Sequence, residues 1–109
     1  MLALTTMGRK SGEPRSAPMG YLWDGDNVVV VASNAGLDRP PAWWLNLQEN
    51  PDAEIDLEGQ RRRVRGRLAT ESERERLWPK VLDQFGGFED YRRFSNRDIP
   101  LVVLEPRDR

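Results

Sequence analysis

Val28-Val29-Val30-Val31-Ala32 is an unbroken apolar run between Asn27 and Ser33. A strand with one wet face alternates apolar and polar side chains, so a run without alternation predicts a strand covered on both faces. It belongs at the centre of a barrel or sheet, with a second layer packed over it.

The rest of the chain supplies the elements such a strand needs. Met1 to Thr6 enters a strand pattern at once, which leads us to expect that the natural chain starts further upstream. Gly8 to Pro14 is a turn-rich loop, Ser16 to Trp23 reads as a second strand, and Asp24-Gly25-Asp26-Asn27 reads as a hairpin turn. Asp38-Arg39-Pro40-Pro41 can open a helix, with Asp38 as N-cap, that ends before Pro51. Ala53 to Leu57 and Arg61 to Ala69 alternate on either side of Glu58-Gly59-Gln60, giving a second hairpin. Thr70-Glu71-Ser72-Glu73 has the form of a capping box. It opens a helix with Leu77, Trp78, Val81, Leu82 and Phe85 at helical spacing and a kink expected at Pro79. A short helical piece holding Tyr91 and Phe94 then precedes a last strand, Pro100 to Glu105. The order β-β-β-α-β-β-α-α-β excludes alternating βαβ folds. It favours a mainly β, α+β architecture: one domain of 109 residues built as a small antiparallel barrel with helices outside.

Composition then limits the chemistry. The chain has no cysteine and no histidine, which removes disulfides, thiolate nucleophiles, sulfur-based metal sites and the usual neutral-pH general base. An enzyme made from it works with carboxylates, hydroxyls, Lys, Arg and Tyr, or borrows a reactive group from an organic cofactor. We expect no metal. A net charge of −1 gives no support to nucleic-acid binding, and no apolar run approaches the ~20 residues of a membrane span. A cytoplasmic location is expected, with peripheral membrane contact left open.

Three constellations could carry function. The loop Gly8-Arg9-Lys10-Ser11-Gly12, with Arg15 beyond it, places three cations and a hydroxyl on a flexible backbone. Taken alone it reads first as an ordinary solvated hairpin loop; a phosphate or carboxylate site is the alternative, and not a P-loop, because Lys10 precedes Gly12. Ala32-Ser33-Asn34-Ala35-Gly36 sits where the buried strand ends, a place that can admit a planar ligand. Trp43 and Trp44 next to it point in different directions on a helix; packing is the favoured reading for both, with one core and the other a pocket wall as the alternative. Finally, Arg61, Arg63, Arg65 and Arg67 share one strand face, read as a polar exterior in preference to a nucleic-acid stripe or an anchor for an acidic ligand tail.

Together these pieces resemble a known family. Leu4-Thr5-Thr6-x-Gly8-Arg9-Lys10-Ser11-Gly12-x-Pro14-Arg15-x-x-Pro18, Val30-Val31-Ala32-Ser33-Asn34-x-Gly36, Pro41-Ala42-Trp43-x-Leu45-Asn46-Leu47, Glu75-Arg76-x-x-Trp78-Pro79 and Ile99-Pro100-Leu101-Val102-Val103-Leu104-Glu105-Pro106 look like the deazaflavin-dependent nitroreductase family, in order and over essentially the whole chain. The resemblance implies a split β-barrel of the flavin and pyridoxamine-phosphate-oxidase type that binds reduced coenzyme F-420, an 8-hydroxy-5-deazaflavin, and passes its hydride to an acceptor. By this likeness Arg9, Lys10, Ser11, Gly12 and Arg15 hold the phosphate and oligoglutamyl tail. Pro18 and the segment Val31, Ala32, Ser33, Asn34 and Gly36 lie along the ring, and Pro41, Trp43 and Asn46 stand near the cofactor. Gly20, Phe85, Phe88 and Tyr91 take positions around the family's acceptor pocket; only Tyr91 keeps a hydroxyl there, which implies a roomier, less polar acceptor site. Pro40 replaces the relatives' usual histidine, and their N-terminal helical extension has no counterpart here.

The expected function is hydride transfer from reduced F-420 to a planar electron-poor acceptor, a quinone or a nitroaromatic. A non-catalytic carrier of the deazaflavin or of a flavin is the alternative reading, with FMN the less favoured cofactor. The expected partner is a small-molecule acceptor, with a homodimer open.

Overall fold

In the computed structural model, which describes residues 1–32, 40–85 and 99–107, the valine run forms β4 (Asn27–Val31). The other strands are β1 (Leu2–Met7), β2 (Pro14–Met19), β3 (Leu22–Asp24), β5 (Asp52–Leu57), β6 (Gln60–Leu68) and β7 (Leu101–Pro106), with helices α1 (Ala42–Glu49) and α2 (Glu71–Phe85). All seven strands join one antiparallel sheet in the order β2-β1-β5-β6-β7-β4-β3.

The order of that sheet dictates its shape. β2 and β3 are its two edges, yet they are consecutive in the chain and separated only by Gly20 and Tyr21. Laid flat, seven strands at ~4.8 Å spacing would put the edges about 29 Å apart, whereas a link from Met19 to Leu22 spans about 10 Å at most. The sheet must curl until the end of β2 comes within reach of the start of β3, and it becomes a half-open barrel. The expected single strand from Ser16 to Trp23 is therefore two strands that belong to opposite edges.

Alternation then sorts the side chains. Leu2 and Leu4 of β1, Val28 and Val30 of β4, Ala53, Ile55 and Leu57 of β5, Val64 of β6, and Val102 and Leu104 of β7 fill the barrel with Trp44 and Leu47 of α1. The opposite faces of β4 and β7, through Val29, Leu101 and Val103, pack with Leu22 under Leu77 and Val81 of α2. β4 is thus covered on both faces, the barrel core on one side and α2 on the other. The two α2 residues stand one helical turn apart, as an amphipathic helix requires.

Local chemistry fixes the connections. Gly25 at φ 62° turns the β3–β4 hairpin, and Glu58 and Gly59 at φ 52° and 79° turn β5 into β6. At α2 the capping box forms as its sequence predicts: the Glu73 carboxylate accepts from the Thr70 backbone N–H at 2.8 Å, and the Thr70 hydroxyl accepts from the Glu73 N–H at 3.2 Å. Helix α2 continues through Pro79. Helix α1 begins later than expected, at Ala42, because Pro41 is held extended at φ −66°, ψ 151° ahead of it; Asp38 lies outside the described residues. The expected helical piece around Tyr91 and Phe94 also lies outside them.

The arginine strand is an exterior face. Arg61, Arg63, Arg65 and Arg67 point away from the core while Val64 and Gly66 point into it. Arg61 reaches Glu54 at 2.7 Å and Asp56 at 3.0 Å, and Arg67 reaches Glu73 at 2.7 Å and Glu105 at 3.2 Å. Much of the stripe's charge is met by acids of neighbouring elements. Arg62, near the turn, lies over the Trp23 ring at 5.5 Å.

Candidate functional site

The β1–β2 loop closes on itself before it can bind anything. The Gly8 N–H donates to the Glu13 carbonyl and the Gly12 N–H to the Gly8 carbonyl, each at 2.8 Å. Gly8 permits this, because a Cβ there would stand 2.6 Å from the Ser11 hydroxyl and 3.2 Å from the Glu13 carbonyl. Gly12 takes φ +71°, the left-handed conformation that glycine adopts without strain.

Helix α1 pins the closed loop to the barrel. Asn46 is buried, at 4% exposure, and its Nδ2 donates to the Thr6 hydroxyl at 3.1 Å. Its Oδ1 accepts from the Arg9 backbone N–H at 3.1 Å and from Arg9 Nη1 at 3.3 Å. Thr6 is itself buried on the inward stripe begun by Leu2 and Leu4, and it supplies the hydroxyl that Asn46 needs there. A buried amide with both ends engaged fixes the distance between helix and loop.

Between them lies a pocket of about 380 Å³, lined by Arg9, Lys10, Ser11, Arg15, Trp43 and Asn46 together with Thr6, Gly8, Ser16, Ala17 and Ala42. Register explains its β2 side: Arg15 stands opposite Thr6 and Ala17 opposite Leu4, so both share the inward face at the barrel mouth. Trp43 is half-buried against the barrel core and gives the pocket an aromatic wall, while Trp44 is core. Among the described residues no carboxylate lines this pocket, and the ion pair that reaches its cations is Arg15 with Glu13, exposed and 3.8 Å long. Such a pair neutralises little. Elsewhere guanidiniums face acids closely, as in Arg76 with Asp24 at 2.7 Å. An excess of positive charge beside an aromatic wall and backbone donors suits a planar ligand with an anionic tail.

The other expected residues are spread more widely. Gly12 is in the same loop but outside the pocket lining, and Pro18 stands opposite Ala3 on the outward face of β2. Val31 packs on the α2 side, Ala32 is fully buried in the barrel core, and the Pro41 carbonyl receives the first amides of α1. Ser33, Asn34 and Gly36 lie outside the described residues, as do Phe88 and Tyr91; Phe85 ends α2. Gly20 lines a separate hollow with Tyr21, Trp23, Glu58 and Gln84, which meets β1 at its opposite end from Thr6, about 16 Å away along the strand. Sequence reasoning did not single out Thr6, Ser16, Ala17 and Ala42 as lining residues. For Thr6 a signal exists, a hydroxyl in phase with Leu2 and Leu4.

A curled seven-stranded antiparallel sheet whose two edge strands are joined by a two-residue link, with a cationic loop and an aromatic helix residue at its mouth, has the split β-barrel architecture. Within that class residues 1–106 match the model of the F420H(2)-dependent quinone reductase family, and the chain belongs to that family. A Mycobacterium tuberculosis protein named provisionally as an F420H(2)-dependent quinone reductase is 42% identical over 106 residues, covering 97% of this chain and 89% of its own length. A solved F420-H2 dependent reductase superposes with a TM-score of 0.85 at 26% identity over 95% of this chain and 92% of that one. A second solved structure, a domain-swapped dimer, gives 0.86 at 26% identity over 95% and 78%. The protein is accordingly an oxidoreductase whose hydride comes from reduced coenzyme F-420.

Proposed function

We propose that this chain reduces quinones with reduced F-420, holding the coenzyme's phosphate and glutamate tail in the pocket between the β1–β2 loop and α1. The observation that carries the placement is the clustering of Arg9, Lys10 and Arg15 around a 380 Å³ pocket whose described lining contains no carboxylate. Lys10 and Arg15 supply charge-assisted donors to phosphate and carboxylate oxygens, and Ser11 adds a hydroxyl. Trp43 bounds the pocket toward the barrel and offers a flat apolar surface to the part of the coenzyme nearest the ring.

When bound, the reduced deazaflavin supplies a hydride, which with one proton converts a quinone to its hydroquinone. The protein's task is orientation, holding donor and acceptor within reach of each other. The titratable side chains among the described lining residues, Arg9, Lys10 and Arg15, all serve the anion. Hydride transfer from a bound deazaflavin does not itself call for an imidazole, so a chain without histidine is equipped for this reaction.

Fluorescence titration of the protein with F-420, and in parallel with FMN, tests the reading. Saturable micromolar binding of F-420 with weaker FMN binding is expected. Preferential FMN binding would move the chain to the flavin-using split barrels, and tight F-420 binding without quinone reduction would make it a carrier. A second copy of the chain, as in the domain-swapped neighbour, is the partner that sedimentation would reveal.

A further inference from the structure

We infer that Asn46 is a charge-preserving clamp: it fixes the Arg9 guanidinium at the pocket without neutralising it, and so sets the pocket's affinity for polyanions. The inference rests on the reading above for the identity of the anion. Asn46 grips Arg9 twice through Oδ1, at the backbone N–H and at Nη1, and is itself held by the Thr6 hydroxyl through Nδ2. Asn46 is 4% exposed and its bond to Thr6 is buried, while the two bonds to the exposed Arg9 are part-buried, so an Asn46 amide left unsatisfied would be costly.

The residue type matters as much as the geometry. Four other guanidiniums are fixed by carboxylates: Glu54 and Asp56 for Arg61, Glu73 and Glu105 for Arg67, Asp24 for Arg76, and Asp52 for Arg107. Neutral acceptors serve Arg62, at the exposed Gln60 amide, and Arg74, at the Ile99 carbonyl, and neither of these lines the cationic pocket. The four carboxylate-paired arginines tie elements together, and their charge is cancelled in doing so. At Arg9 the partner has nearly the size and shape of an aspartate, and it accepts through one oxygen in the same way, but it carries no charge. An aspartate would form a stronger bond to Arg9 and subtract one positive charge from the pocket. The amide instead stiffens Arg9 and leaves its full charge for a ligand, which is preorganisation without neutralisation. Asn46 is therefore a positioning residue that acts through Arg9.

The test compares wild type, Asn46→Asp and Arg9→Gln with three probes: inorganic pyrophosphate, F-420, and the deazaflavin ribityl alcohol that lacks phosphate and glutamates. Both variants should raise Kd for pyrophosphate and F-420 about tenfold and flatten its dependence on ionic strength. Both should leave the uncharged probe within twofold. A purely structural role would weaken all three ligands alike, and that result would overturn the inference. So would Asn46→Asp binding pyrophosphate as tightly as wild type, or wild type failing to bind pyrophosphate. Should Asn46→Asp not fold, Arg9→Gln still decides, because an unchanged pyrophosphate Kd removes the charge the clamp is said to preserve. Wild type that binds pyrophosphate but not F-420 would contradict the coenzyme reading, while the pyrophosphate series would still decide the clamp.

Discussion

Lys10 and Trp43 face one pocket from two elements tied together by the Arg9–Asn46 hydrogen bonds: Lys10 is carried by the β1–β2 loop and Trp43 by α1. One supplies charge and the other a flat apolar wall, so their removal should have separable effects. Lys10→Ala should leave the melting temperature within a degree or two, since the side chain is exposed, and weaken F-420 binding about tenfold, the scale of one hydrogen bond to a charged group. Titration at low and high salt checks this, with the larger loss at low salt.

Trp43→Ala should cost both binding and stability. The ring is half-buried against the barrel core and lines the pocket, so its loss removes a contact surface for the ligand and about 2 kcal/mol of burial. Thermal melts and titration of the uncharged deazaflavin should both move, unlike those of Lys10→Ala.

Gly66→Ala should act on the site from a distance. An added Cβ on β6 would lie 2.9 Å and 3.2 Å from the two Leu47 methyls and 3.4 Å from Leu104, both side chains buried in the barrel. Leu47 follows Asn46 on α1, so relieving the clash shifts the helix that pins the loop. We expect a destabilisation of about 1–3 kcal/mol and a weaker coenzyme complex, read by melting and titration on the same sample.

Much of this was legible in the sequence because it follows from local pattern. The uninterrupted valines specify a doubly covered β4, alternation separates the arginine face from Val64 and Gly66, and Thr70 with Glu73 announces the start of α2. The split of Ser16–Trp23 into two strands was not legible, because the curl that places β2 and β3 on opposite edges is a property of the whole sheet and β propensity runs on through both strands. Likewise the cations of the loop and Trp43 were visible singly, but the clamp between Thr6, Arg9 and Asn46 depends on how α1 lies across β1.

Acid should loosen α2. The guanidinium of Arg67, helped by the Thr70 amide, lowers the Glu73 carboxyl from 4.5 to about 2. A carboxyl depressed on folding contributes stability that is complete above its unfolded value and is lost as pH falls through the folded one. The loss should therefore run from about pH 4.5 down to about pH 2 and amount to on the order of 1–2 kcal/mol after solvent screening. Glu73→Gln should melt lower at pH 7 and show a shallower acid limb than wild type, checked by thermal melts across that range.

The central claim is that this barrel passes a hydride from F-420 to a quinone, and anaerobic stopped-flow mixing tests it most directly. Protein loaded with reduced F-420 is mixed with a soluble quinone while the absorbance of the oxidised coenzyme is followed. The account predicts rapid reappearance of that absorbance with one hydroquinone formed per coenzyme oxidised, and a strong loss of rate for Lys10→Ala at low coenzyme concentration. Oxidation no faster than in protein-free solution, despite saturated binding, would contradict it.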